Sequence, residues 1–352
     1  MTRRGSSHVE SGMQQIRKDH HYVPKLYLKN WAQDGLINTY RLLVPNENSA
    51  IWKKQSLKGI AFHQHLYTYL SSQEETDEFE RWLDMEFENP AAEAIRRVVQ
   101  NDRMSPEHWR RLVRFAVALD VRTPARLKDF INRQNDSLHA LMDQSMRSSI
   151  DRLEAAVRRN EPFPSYSEDK DALSLFKISI EASPCGGGYA KAETVVGRRM
   201  WIWQMKQLLT STLGRLPAHK WTVLHPPVGI SWPTSDNPLV RLNFQDAANY
   251  DFGGGWGAKN GDIMLPLSPR HLLYTCVGNR VLPRGTVLDA PTAKLIGNII
   301  IEHADRYIFA QEPGDIHLRR PRVACPLTFK NETAAWKNWH EEQTQAERQI
   351  QS

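Results

Sequence analysis

The sequence predicts an α+β protein, in which a helical middle region packs on an antiparallel C-terminal sheet that short N-terminal strands join. Two observations carry this expectation. Between about residues 76 and 213, apolar residues recur at spacings of three and four, the period of a half-buried helix. On either side, at 36–69 and beyond Pro217, the apolar residues come in short runs punctuated by Pro, Gly and Asn, as strands and turns require. With 352 residues, 40% of them hydrophobic, the chain can bury one large core. We therefore expect a single domain over 18–336, with a helical lobe at 74–214 and a β-rich part at 18–70 plus 217–336. Polar tails are expected at 1–17 and 337–352.

In chain order, strands are expected at Leu36–Leu43, Ile51–Lys53 and His65–Tyr69. A helix follows over 76–99, with Phe79, Leu83, Phe87, Ala91 and Ile95 on one stripe. Ser105-Pro106-Glu107 and Thr123-Pro124 read as N-cap plus first-turn proline, and each starts a helix. The second runs to about Val157, with Leu127, Leu141, Ile150 and Leu153 along its apolar side. Pro162–Ser165 reads as a linker, 169–180 as helical, Pro184–Tyr189 as a glycine hinge, and 190–213 as a core helix. Five β runs are expected at Trp221–His225, Gly229–Trp232, Leu239–Leu242, Ile263–Leu267 and Leu272–Val277. Phe252–Gly257 looks like a mobile loop. A helix over 291–304 and an edge strand at Tyr307–Phe309 complete the pattern.

The 46 Lys/Arg against 40 Asp/Glu give a net charge of +6, which permits an anionic partner without requiring one. The distribution says more than the total. Residues 74–93 carry nine acids and one Arg, whereas 96–133 carry ten Lys/Arg and four acids. Packing of the two segments against each other explains this most simply, and a phosphate-binding face for nucleic acid or a nucleotide is the alternative. The three cysteines, Cys185, Cys276 and Cys325, lack metal or disulfide spacing and are expected as buried thiols. No apolar run reaches the roughly 18 residues of a membrane span and the start lacks an apolar signal core, so the expectation is a soluble, cytoplasmic protein without a membrane partner.

Two stretches concentrate chemistry. Asp19-His20-His21-Tyr22-Val23-Pro24 leads into Tyr27 and Trp31, but neighbouring side chains diverge, so this stretch alone supplies half a site. Far downstream, Thr234-Ser235-Asp236-Asn237-Pro238 holds a carboxylate and an amide on a turn at a strand end. His63-Gln64-His65 could present two imidazoles on one strand face.

Taken in order, His-His-Tyr-Val-Pro, Leu66-Tyr67-Thr68, Arg122-Thr123-Pro124, Ser235-Asp236-Asn237-Pro238 and Pro266-Leu267-Ser268-Pro269 resemble a bacterial domain-of-unknown-function family, number 4238, over about 18–310. The resemblance implies a soluble bacterial protein and names no activity. Locally, Asp19 to Pro24 is similar to the opening of HNH-type ββα-metal nucleases. That similarity implies a divalent metal, with His21 as base and Asp19 or His20 as ligand, although apolar Leu26-Tyr27-Leu28 follows where a loop would be expected. The functional expectation is a metal-dependent nuclease or related hydrolase, with a bacterial defence role in view. His20, His21 and Asp236 are its catalytic candidates, Asp19 and His20 its metal ligands, and Tyr22, Tyr27, Ser235 and Asn237 its binding residues. The alternative is a non-catalytic module for a nucleotide, nucleic acid or peptide.

Overall fold

In a computed structural model, the structure describes residues 16–161, 175–182, 188–215, 219–314, 316 and 321–351. The N-terminal stretch folds back on the C-terminal half, and its own residue types explain how. Asp19–His21 pairs antiparallel with Phe62–Gln64. Pro24 then opens the single turn Lys25–Leu28, which tightens into Lys29–Trp31. This winding puts Tyr27, Leu28 and Trp31 on the buried side, where all three are fully enclosed. Their polar atoms find carbonyls in the distant half of the chain, as buried rings with a polar handle must. The Tyr27 hydroxyl donates to the Pro266 carbonyl at 2.6 Å and meets Thr234 Oγ1 at 2.7 Å. Trp31 Nε1 donates to the Trp232 carbonyl at 2.9 Å, and Asn30 Nδ2 donates to that of Leu267 at 2.8 Å.

Two antiparallel sheets receive this stretch. One has the strand order Thr234–Ser235, Tyr307–Ala310, Leu36–Arg41, Trp52–Ser56, which joins N-terminal to C-terminal strands. Tyr307–Ala310 is therefore an inner strand, not the edge expected of it. The other runs Thr222–Leu224, His271–Cys276, Asp262–Ser268, Val240–Phe244, Tyr250–Asp251. Gly229–Trp232 forms no strand. Trp232 is instead a buried plug whose indole donates to the Ala293 carbonyl at 2.8 Å, on the helix Ala290–Glu302. The strand expected at His65–Tyr69 is likewise broken: His65 has a φ of 54°, a left-handed turn that ends the Phe62–Gln64 strand.

The helical middle follows its caps. Glu78–Leu83 continues through one wide π turn, Asp84–Glu88, into Asn89–Val99. The expected stripe of Phe79, Leu83, Phe87, Ala91 and Ile95 is buried along it. Ser105 and Thr123 cap Pro106–Val121 and Pro124–Arg159 through their side-chain oxygens. Only the first part of the second helix buries its stripe. Leu127 is enclosed, whereas Leu141, Ile150, Leu153 and Val157 are exposed.

Several expectations are corrected. Phe176–Ala182 and Gly188–Thr194 form a β-hairpin, and the following helix is confined to Arg198–Gln207 plus a π turn, because Gly197 precedes it and the alternation at 188–194 suits a strand. The Pro162–Ser165 linker, most of the glycine hinge and Cys185 lie outside the described residues. Cys276 and Cys325 are free thiols but only partly buried. The expected tail at 337–352 is instead the end of a 26-residue helix, Pro326–Gln351. That helix is clamped to the body by the buried pair Arg198 Nε to Glu347 Oε1 at 2.9 Å, and by the Leu70 N–H donating to Glu347 at 2.9 Å. Among the described residues, no helix is long and apolar enough to cross a membrane.

The opposite charges of 74–93 and 96–133 are largely spent within the chain. Arg96 and Arg97 hold Glu93, Arg110 and Arg111 hold Glu107, Arg126 holds Asp120, and Lys128 holds Asp305. The pair at the centre is buried: Arg122, 1% exposed, donates to Glu88 Oε1 at 2.6 Å and to the His21 carbonyl at 2.5 Å. Removing one member of such a pair strands the other charge in apolar surroundings. Arg122→Ala should thus cost about 3–5 kcal/mol, read as a fall in the urea midpoint. Arg122→Lys should recover little, since one ammonium cannot reproduce a planar fork. A loss below about 1 kcal/mol would show that the pair is dispensable.

Candidate functional site

The two chemistry-bearing stretches do approach each other, through Tyr22 and Asp236 and not through His20 or His21. His20 is fully buried, its ring stacked on that of Tyr67. Its Nδ1 accepts the Tyr67 N–H at 2.9 Å and its Nε2 donates to the Arg17 carbonyl at 2.9 Å. Burial pushes its pKa down to about 4. An imidazole with both nitrogens occupied by backbone has no lone pair for a metal. Asp19 is exposed and accepts from Gln64 Nε2 at 3.4 Å. These two side chains do not fit the metal-ligand role given to them, and among the described residues no group of three or more His, Cys, Asp or Glu could hold a metal ion. His21 packs on Phe62 with ring centroids 5.5 Å apart, and its Nε2 is buried without a hydrogen-bond partner. Tyr27 is occupied by the core contacts described above.

Tyr22 and Asp236, by contrast, line one cavity of about 320 Å³, at the lower end of the range for small-molecule sites. Tyr22 is placed there by a stack: its ring lies 5.4 Å from that of His63, which lies 3.8 Å from Trp336 on the C-terminal helix. Burial pushes the His63 pKa down to about 3, so it is neutral. His65 faces elsewhere and stacks on His340 at 4.0 Å, so the two imidazoles of His63-Gln64-His65 do not share a face.

Asp236 is held by the chain that follows helix Ala290–Glu302. Its Oδ1 accepts the Asp305 N–H at 2.9 Å and its Oδ2 accepts the Arg306 N–H at 2.7 Å. Burial and, second, the Asp305 charge raise its pKa to about 7 against those two hydrogen bonds. Asn237, next in the chain, turns the other way. It accepts from Thr123 Oγ1 at 3.2 Å, and its carbonyl accepts from His303 Nδ1 at 2.9 Å. Ser235 Oγ accepts the Asn237 N–H at 3.2 Å. Ser235 and Asn237 therefore shape the turn, while Asp236 reaches the cavity.

Sequence reasoning missed the rest of the wall. Arg41 enters it from the end of strand Leu36–Arg41, with its guanidinium 5.6 Å from the centre of the Tyr307 ring. Its Nε is buried without a hydrogen-bond partner, and it forms no ion pair among the described residues. Asp236 likewise has no charged side-chain partner among them. Asp305 and Arg306 are paired, the former with Lys128 at 2.7 Å and the latter with Glu332 at 2.7 Å. No hydrogen bond engages the Tyr22 or Tyr307 hydroxyl among the described residues. The sequence did hold one signal, Asp305-Arg306-Tyr307, a run of polar groups packed between a helix end and a strand.

The raised pKa of Asp236 has a definite sign. A folded-state value of about 7 against an ordinary 3.8 means that its contribution to stability is fully present below pH 3.8 and is lost as pH rises through 7. Asp236→Asn cannot ionise. The difference in melting temperature should move in favour of Asp236→Asn between pH 4 and pH 7, and a difference that does not change with pH would refute the raised value.

A family model described as "Protein of unknown function (DUF4238)" matches residues 19–313. No curated protein and no solved structure matches the chain.

Proposed function

The chain belongs to the DUF4238 family, whose description assigns no activity, and we propose from the geometry of the cavity that it is a binding module for a small zwitterionic ligand, such as a free amino acid or a peptide end. One observation carries this reading. The cavity holds a cation, Arg41, and a carboxyl, Asp236, which pair neither with each other nor with another charged side chain among the described residues. A buried carboxyl and a half-buried guanidinium whose Nε is enclosed without a partner are costly, and a ligand with charges at both ends would relieve both. Its carboxylate would take the Arg41 fork and its ammonium would take Asp236, with the Tyr22 and Tyr307 hydroxyls between. The size of the cavity suits a ligand of that order better than a nucleic-acid strand. The charge pairing within 96–133 leaves little of the basic surface that a nucleic-acid partner would use.

A second reading, hydrolysis, is favoured by the titration of Asp236 near neutral pH beside Asp305. A protonated carboxyl next to a charged one is the arrangement of a general acid with its electrostatic partner. On this reading no metal is invoked, because Asp19 and His20 do not fit one.

Calorimetric titration with free amino acids and unblocked dipeptides tests the proposal. Binding should weaken by about tenfold or more in Arg41→Gln and in Asp236→Asn, the usual loss when a charged hydrogen-bonding partner is removed. N-acetylated or amidated counterparts should not bind. Affinity should rise as pH passes through 7, because the ammonium needs the ionised Asp236. Equal binding of blocked and unblocked compounds would sink the zwitterion reading, and release of cleaved product, abolished in Asp236→Asn, would favour hydrolysis.

A further inference from the structure

A second cavity, of about 250 Å³, shares no lining residue with the first. It lies between the start of helix Pro124–Arg159, the helix Arg198–Gln207 and the tip of the glycine-rich loop Phe252–Gly257. Its charges do not balance: Arg126, Arg133 and Arg241 face it with Asp120 and Asp129. Asp120 is 4% exposed and heavily used. Its Oδ1 accepts from Arg126 Nη2 at 2.7 Å and Nε at 3.1 Å, and its Oδ2 accepts from Trp256 Nε1 at 2.8 Å. Arg241 Nε comes within 3.4 Å of the same Oδ1 but makes no hydrogen bond, although it is buried. Asp129 is 66% exposed and reaches Arg126, not Arg241. Arg133 forms no ion pair among the described residues. Arg241 and Arg133 thus bring positive charge to a cavity whose one buried carboxylate is engaged by Arg126 and Trp256.

The loop that closes this cavity is anchored, contrary to the mobility expected of it. Gly254 lies so near strand Val240–Phe244 that a Cβ there would come within 2.7 Å of the Leu242 backbone nitrogen. Only glycine permits that approach. The Trp256 carbonyl accepts from His219 Nε2 at 2.6 Å, and its ring lies 6.0 Å from Trp221. Trp256 is therefore a fixed aromatic wall beside Arg241, with Trp201 and Met205 adding apolar lining.

We propose that this second cavity binds a small organic anion, its phosphate or carboxylate head held by Arg241 and Arg133 and its planar body set against Trp256, Trp201 and Met205. Guanidinium forks match both head groups, and the apolar lining accepts a ring. Calorimetric titration of the full chain with phenyl phosphate, benzoate and inorganic phosphate decides the matter. Phenyl phosphate or benzoate should bind, more tightly than inorganic phosphate and less tightly as salt is added; which of the two binds better identifies the head group. Arg241→Gln should weaken binding by about tenfold or more. Arg133→Gln, on the exposed rim, should weaken it without lowering the melting temperature, and so decides the case if Arg241→Gln does not fold. Asp236→Asn, which alters the first cavity, should leave it unchanged. Absence of binding by both aromatic anions, or binding undiminished in Arg133→Gln and in a folded Arg241→Gln, would overturn the proposal.

Discussion

The fold turns on one buried guanidinium. Arg122 follows helix Pro106–Val121 and is fully buried, where an unpaired charge would cost several kcal/mol. Its acceptors come from two different places: the Glu88 carboxylate from the acidic helix and the His21 carbonyl from the N-terminal stretch. The Tyr67 hydroxyl closes the circuit by donating to the Arg122 carbonyl at 2.5 Å. Glu80, buried 3.9 Å from the same guanidinium, has its pKa raised to about 7 by desolvation, so it is only partly ionised near neutral pH. The next residue, Thr123, caps the long helix and also donates to Asn237. Arg122-Thr123-Pro124 thereby ties His-His-Tyr-Val-Pro to Ser-Asp-Asn-Pro, about a hundred residues away on either side.

This frame explains why the cavity can hold charges that the chain does not neutralise. Tyr22 and Asp236 each sit one residue beyond or before a side chain committed to holding the frame, His21 packed on Phe62 and Asn237 bonded to Thr123 and His303. Both pairs fall at a bend where a strand ends, just after Asp19–His21 and Thr234–Ser235. The contacts of His21 and Asn237 therefore fix the positions of the cavity residues beside them. An Asp236 free to move would find water or a cation; held by two backbone N–H groups, it stays buried and shifts its pKa instead.

The fold class was legible because it depends on local signals. Ser105 and Thr123 announced their helices, and the Phe79 to Ile95 stripe announced its buried face. The errors fell where the local signal was ambiguous. Alternation over 188–194 follows glycines and resembles a helix start, and the polar residues of 337–351 hide Thr344 and Glu347, which are buried against Arg198. Of the candidate site, Tyr22 and Asp236 were visible as unusual residues in unusual company. His20 was equally conspicuous, but only three dimensions reveal that backbone groups occupy both its nitrogens. Arg41 carried no signal at all, since an arginine ending a strand is ordinary until its partner is found to be missing.

The cavity has two origins along the chain, and this bears on what each wall can do. Tyr22, Arg41, His63, Asp236 and Asp305 lie within the segment that matches the family, whereas Glu332 and Trp336 lie on helix Pro326–Gln351, beyond residue 313. The helix contributes no free charge to the cavity, because Glu332 is committed to Arg306 through three hydrogen bonds. It contributes closure instead: Trp336 stacks on His63, which in turn sets the plane of Tyr22. On the proposed reading, the family segment supplies both charges that read the ends of the ligand. The helix Pro326–Gln351 sets how much apolar bulk between those ends can be enclosed. Selectivity for charge and selectivity for size are then separable, since they rest on different stretches of the chain.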